Sequence, residues 1–106
     1  MSKFVQIYWT CGNVEEARAV SKELVSNKLV ACAHILPQIE SVFIWDHQLQ
    51  SAQEITVIFK TKASLFHRVK DKILALATYE VPEILQIPIV DGNPSYLKWV
   101  QETVCD

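Results

Sequence analysis

Cys32 and His34 stand two residues apart in "ACAHIL". On a strand, residues at i and i+2 share a face. A thiolate and an imidazole on one face are ligands for a soft or borderline metal such as copper or zinc. Two ligands fall short of a closed four-coordinate site. The same pair also reads as core packing, because free cysteine is among the most buried residue types and packs as a small hydrophobe. Cys11 closes the first apolar run and is a third candidate ligand if the strand order brings it close.

A second group is Thr78-Tyr79-Glu80-Val81-Pro82-Glu83, two carboxylates and a phenol beside a proline. Pro82 restrains Val81 to an extended conformation. Tyr79 can bury its ring and keep its hydroxyl on a polar partner. Glu80 reads as solvated and Glu83 as the start of a strand. Lys60 and Lys62 are candidate partners for one carboxylate, in a surface ion pair worth ~0–1 kcal/mol. His47 and His67 read as solvated. There is no Ser/His/Asp order, no HExxH, and the glycines occur singly, which excludes a glycine-rich phosphate loop. No enzyme activity is expected; a carboxylate base at Glu83 is the catalytic alternative.

These residues must be positioned by elements. Residues 3–11 are rich in aromatic and β-branched types and predict a strand. Asn13 with Glu16 predicts a capping box, and Val14, Ala17, Val20 and Leu24 follow at helical spacing. That helix is expected to end near Asn27. Residues 29–45 predict one long strand, bent or bulged at Pro37 and Gln38. The polar run from Asp46 to Gln53 is expected to form a turn, with 54–61 as the returning strand. Ser64 is the expected cap of a second helix striped by Leu65, Phe66, Val69, Ile73 and Leu76. Residues 84–90 predict a fourth strand, and Pro88 favours an edge position for it. Asn93 and Pro94 open a short final helix. The order βαββαβ plus a C-terminal helix is the split-βαβ, ferredoxin-like order of an α+β fold.

The hairpin carries a further signal. Val42, Phe43, Ile44 and Trp45 are apolar on both alternating faces. Strands buried on both faces read as continuous apolar runs, yet two helices cover only one face of a sheet. The other face is therefore expected to meet further copies of the chain, giving a closed homo-oligomer.

The chain has 106 residues and a formal charge of −2. The length suggests one domain over residues 1–106. The charge gives no pull toward nucleic acid or anionic lipid. No signal peptide is evident, and no segment reaches the roughly 20 apolar residues that span a bilayer. Three widely spaced cysteines form no disulfide framework, and a cytoplasmic location is expected.

Ala31-Cys32 with Ile35 and Pro37, then Lys60-Thr61, then Tyr79-Glu80-Val81-Pro82-Glu83, then Tyr96-Leu97-Lys98-Trp99, follow one another at distances that resemble the CutA divalent-cation-tolerance family. The resemblance runs from Val5 to Val100. It implies a ferredoxin-like fold assembled as a homotrimer, similar in architecture to the PII signalling proteins. It also implies a response to divalent metal ions, copper especially, with Cys32 as the best candidate ligand. Lys60, Tyr79, Glu83 and Tyr96 match recurrent positions around an inter-subunit cleft, and Trp45 matches the hairpin tryptophan. The chain departs from the pattern in three places. His47 stands where a glycine is usual, Ala77-Thr78 replaces His-Pro, and Trp9 occupies about the place of a first-strand cysteine. Ala77 takes an imidazole away from the cleft. The leading expectation is a metal-responsive homotrimer with weak copper binding. The alternative is a PII-like signalling or small-molecule-binding module.

Overall fold

The computed structural model describes residues 2–105. The elements are β1 (Phe4–Cys11), α1 (Val14–Ser26), β2 (Cys32–Trp45), β3 (Gln48–Lys62), α2 (Phe66–Leu76), β4 (Glu83–Pro88) and α3 (Pro94–Thr103), with a 3₁₀ turn at Ala63–Leu65. The strands form one antiparallel sheet in the order β2-β3-β1-β4. This is the ferredoxin-like arrangement that the element order predicts.

Alternation along β1 and β3 gives the sheet two unlike faces. Val5, Ile7 and Trp9 of β1 and Val57 and Phe59 of β3 are buried on one face, in a core completed by Ala17, Val20 and Leu24 of α1 and Val69 and Ile73 of α2. Trp9 stacks on Phe59 with ring centroids 6.4 Å apart. The opposite face carries Gln6, Tyr8 and Thr10 of β1 and is called the open face below. α3 packs against β3 and buries Val100.

Local signals explain the helix ends. The Asn13 side chain caps α1 by accepting from the Glu16 N–H at 2.8 Å. The expected reciprocal bond does not form, because the Glu16 carboxylate instead accepts from the backbone N–H and the hydroxyl of Thr78, at 3.0 and 2.8 Å. At the other end Lys28 N–H donates to Val25 and Leu29 N–H to Leu24. That is a Schellman stop, with Lys28 in the left-handed region at φ 60° where glycine is usual. Asn93 caps α3 and Pro94 opens it, as the sequence predicts.

Three expectations change. β2 begins at Cys32; residues 29–31 precede it. The returning strand begins at Gln48 instead of residue 54. Asp46 and His47 both adopt positive φ, 54° and 65°, so the turn closes in two residues and the polar run pairs with the apolar one. Ser64 lies inside the 3₁₀ turn and caps nothing, and α2 lacks a side-chain cap. The irregularity at Pro37 and Gln38 does occur: β2 advances from Leu36 to Ile39 while β3 moves from Thr56 to Glu54, a one-residue bulge. β4 is an edge strand ending at Pro88.

Candidate functional site

Strand register arranges the open face in rows. The first row is Leu36, Thr56, Thr10 and Glu83; the second is His34, Ile58, Tyr8 and Leu85; the third is Cys32, Lys60, Gln6 and Ile87. The candidate residues therefore fall into two groups at opposite ends of one face. Four residues of strand separate the first row from the third, about 14 Å at ~3.4 Å per residue.

The group at the third-row end holds Cys32 and Lys60 of that row, His34 of the second row and Tyr96 of α3. Cys32 is half-buried. Its Sγ lies 3.4 Å from the Tyr96 hydroxyl. The Lys60 ammonium lies 3.3 Å from His34 Nδ1. An ammonium only donates, so the contact is a hydrogen bond in the tautomer whose Nδ1 accepts. Burial, followed by the contact with Cys32, pushes the Tyr96 phenol up to about 12. Tyr96 in turn meets Trp99 at 5.6 Å between ring centroids.

Cys11 stands apart from this group. It is 1% exposed, on the helix-covered face, and its register partner is Ile55 while that of Cys32 is Lys60. Five positions of β3 separate those partners, about 17 Å, so the two thiols cannot share one ion within a chain. Burial, then the Glu16 carboxylate, pushes the Cys11 thiol up to about 11. Among the described residues no three His, Cys, Asp or Glu side chains are placed to hold a metal together. Cys32 and His34 supply two soft donors, with Lys60 positioned against the ring. Within one chain these donors do not make a closed metal site.

The other group surrounds a groove of about 800 Å³ between the hairpin and the 77–83 joint. Trp45, Phe43 and Tyr79 line it, with Glu54, Glu80 and Glu83. Thr10 donates to Glu83 at 2.6 Å and lies 3.2 Å from the Thr56 hydroxyl. Tyr79 donates to Glu54 Oε2 at 2.7 Å. Burial, then that bond, pushes its phenol up to about 12. A Cβ on Gly12 would sit 3.1 Å from the Tyr79 hydroxyl, so the ring lies against bare backbone. The joint is thus tied to α1, β1 and β3 at once. The ion pair expected between Lys60 or Lys62 and a joint carboxylate is absent among the described residues. Glu83 is held by Thr10 instead, and Lys60 lies two rows away.

Glu54, Thr10 and Thr56 are the polar residues that motif reading passed over, and Glu16 was read only as a helix cap. A parity signal was available for Glu54: it precedes Ile55, Val57 and Phe59 out of phase, and therefore faces the open side of β3.

Comparison with known proteins follows this geometry. A family model described as CutA1 divalent ion tolerance protein matches residues 5–103. The chain is 40% identical over 98 residues to the divalent-cation tolerance protein CutA of Archaeoglobus fulgidus, covering 92% of this chain and 95% of that protein. It is 37% identical over 97 residues to a CutA homolog of Xenopus laevis, covering 92% of this chain but 64% of that longer protein. The crystal structure of the A. fulgidus protein, described there as periplasmic, superposes with a TM-score of 0.93 at 37% identity, covering 96% and 99% of the two chains. The chain belongs to the CutA divalent ion tolerance protein family.

Proposed function

We propose that the chain acts as a homotrimeric, non-catalytic, single-domain cytoplasmic protein of metal-ion tolerance. In this reading it binds copper, or another soft or divalent ion, weakly through Cys32 with His34 beside it. The observation that carries the reading is this pair: a half-buried thiol and an exposed imidazole two positions apart on the open face of the sheet. In a reducing compartment such a pair favours Cu(I). Free cysteines at 11, 32 and 105 suit that compartment.

The apolar hairpin supports self-association. Val42 is 67% exposed, Ile44 65% and Leu49 75% in the single chain. Monomers rarely leave contiguous apolar patches of this kind uncovered. Trimer assembly would also set copies of Cys32 and His34 in one particle.

An anaerobic Cu(I) titration against a competing chelator tests the metal reading. Cys32→Ser is expected to lose the interaction, and unchanged affinity removes Cys32 from it. Light scattering behind size-exclusion chromatography is expected to give about three times the 12.1 kDa chain mass.

A second reading rests on the groove. A volume of about 800 Å³ falls within the size of small-molecule pockets. It favours a PII-like module in which a ligand occupies the cleft bounded by Trp45, Tyr79 and Glu83. A ligand retained there without metal dependence would separate this reading from the first.

A further inference from the structure

We propose that Lys60 holds the metal pair in check: its ammonium occupies the His34 imidazole, so a metal ion must displace it, and its charge favours a monovalent soft ion over a divalent one. This rests on the metal reading above and names the residue that sets its strength and selectivity.

Register puts the lysine there. Cys32 pairs with Lys60 and His34 with Ile58, so Lys60 is the direct cross-strand neighbour of one donor and the diagonal neighbour of the other. Its side chain takes the diagonal: Nζ lies 3.3 Å from His34 Nδ1. In the tautomer whose Nδ1 accepts this bond, Nε2 carries the ring proton. One nitrogen then gives its lone pair to Lys60, and the other has none to offer. A metal ion takes a histidine through the free lone pair of a neutral ring. Binding at His34 therefore has to break the contact with Lys60. The contact is made inside one chain, between adjacent strands, and does not depend on what covers the open face.

Charge supplies the selectivity. Lys60 is half-buried, and its ammonium stands at hydrogen-bond distance from a donor atom. Repulsion between an ammonium and a metal ion scales with the charge of the ion, so a divalent ion is opposed about twice as strongly as a monovalent one. As donor types, a thiolate and an imidazole admit Cu(I) and Zn(II) alike. The hydroxyl of Tyr96, 3.4 Å from Cys32 Sγ, is neutral and does not separate them. Lys60 does.

Two measurements on the full chain in its native assembly test this. The first needs no metal: heteronuclear NMR of the ring nitrogens at mildly alkaline pH. His34 is expected to be the Nε2–H tautomer in the wild type and a mixture of both tautomers in Lys60→Met. An Nδ1–H tautomer in the wild type, or the same balance in both proteins, overturns the proposal and leaves the metal reading intact. The second is competition titration with Cu(I), under anaerobic conditions, and with Zn(II). Lys60→Met is expected to tighten Cu(I) about fivefold and Zn(II) about twentyfold, with circular dichroism and mass in solution unchanged. Lys60→Arg, which keeps the charge, is expected to tighten neither ion. Adding His34→Ala to Lys60→Met is expected to abolish the gain. Unchanged or weaker binding in Lys60→Met overturns the competition. Equal gains for the two ions overturn the selection by charge, the result expected if a carboxylate of a neighbouring copy already cancels the ammonium. Unchanged Cu(I) affinity in Cys32→Ser removes the metal reading, and this inference with it.

Discussion

The Tyr79 hydroxyl donates to the Glu54 carboxylate across 2.7 Å, and so fastens the joint before β4 to the long strand β3. The two residues are 25 positions apart in sequence. The bond satisfies a carboxylate that is 8% exposed. Tyr79→Phe removes the donor and leaves Glu54 without it. A loss of about 1–3 kcal/mol is expected, read as a lower denaturant midpoint with an unchanged m-value. Glu54→Gln in the Tyr79→Phe background is expected to recover part of it, because a neutral amide is less costly to leave buried.

Alkaline pH should weaken the fold. Cys11 is pushed up to about 11, by burial and then by Glu16; Tyr79 and Tyr96 reach about 12, by burial and then by Glu54 and Cys32 respectively. In the unfolded chain these groups titrate near their ordinary values of 9.0 and 10.0. Between each ordinary value and its raised one, the folded state holds more protons than the unfolded state. Stability therefore falls as pH rises through this window. Guanidinium midpoints are expected to be flat below about pH 9 and to decline from there toward pH 12. Cys11→Ala should remove the earliest part of the decline.

Thiol reactivity should rank by burial. Cys32 and Cys105 are half-buried, while Cys11 is 1% exposed with its thiol against the Asn13 carbonyl at 3.5 Å. A chromogenic disulfide reagent at neutral pH is expected to modify Cys11 last, and only on unfolding. Fast modification of Cys11 in the native protein would contradict its place on the covered face.

Two non-glycine residues in left-handed backbone offer gains in stability. Lys28 closes α1 at φ 60°, and His47 sits in the hairpin turn at φ 65°. Glycine adopts these angles freely, whereas a Cβ is strained there by roughly 1 kcal/mol. Lys28→Gly and His47→Gly are each expected to raise stability by a few tenths to about 1 kcal/mol, offset in part by the greater freedom of glycine in the unfolded chain. Thermal midpoints at fixed protein concentration check both.

Ile44 and Leu49 face each other across the hairpin and are 65% and 75% exposed. Neither contributes to the buried core. Ile44→Asp or Leu49→Asp is therefore expected to lower the mass in solution toward that of one chain while circular dichroism keeps the same helix and strand content. Unfolding together with dissociation would mean that the chain folds only as it assembles.

Much of this molecule is legible from the order of its residues. Alternation in residues 3–11, helical spacing after Asn13, and the Asn93-Pro94 start each act over a few neighbouring residues, and a strand or helix forms on each; the alternation in 54–61 marks only the second half of β3, which pairing with β2 extends back to Gln48. The bulge near Pro37 follows equally from local chemistry, because proline cannot donate to the ladder. Other features depend on contacts between distant segments. Glu16 was expected to close a capping box, but Thr78, 62 positions away, takes its carboxylate. Lys60 was offered to the joint carboxylates, yet the register of β3 against β1 and β2 sets it beside Cys32 and His34. Cys11 and Cys32 look equivalent in sequence, but strand parity sends them to opposite faces. The types of side chain available, and the elements that carry them, are set by the sequence alone. Which of them meet is set by strand order and register, because hydrogen bonding between distant strands decides which residues lie opposite one another.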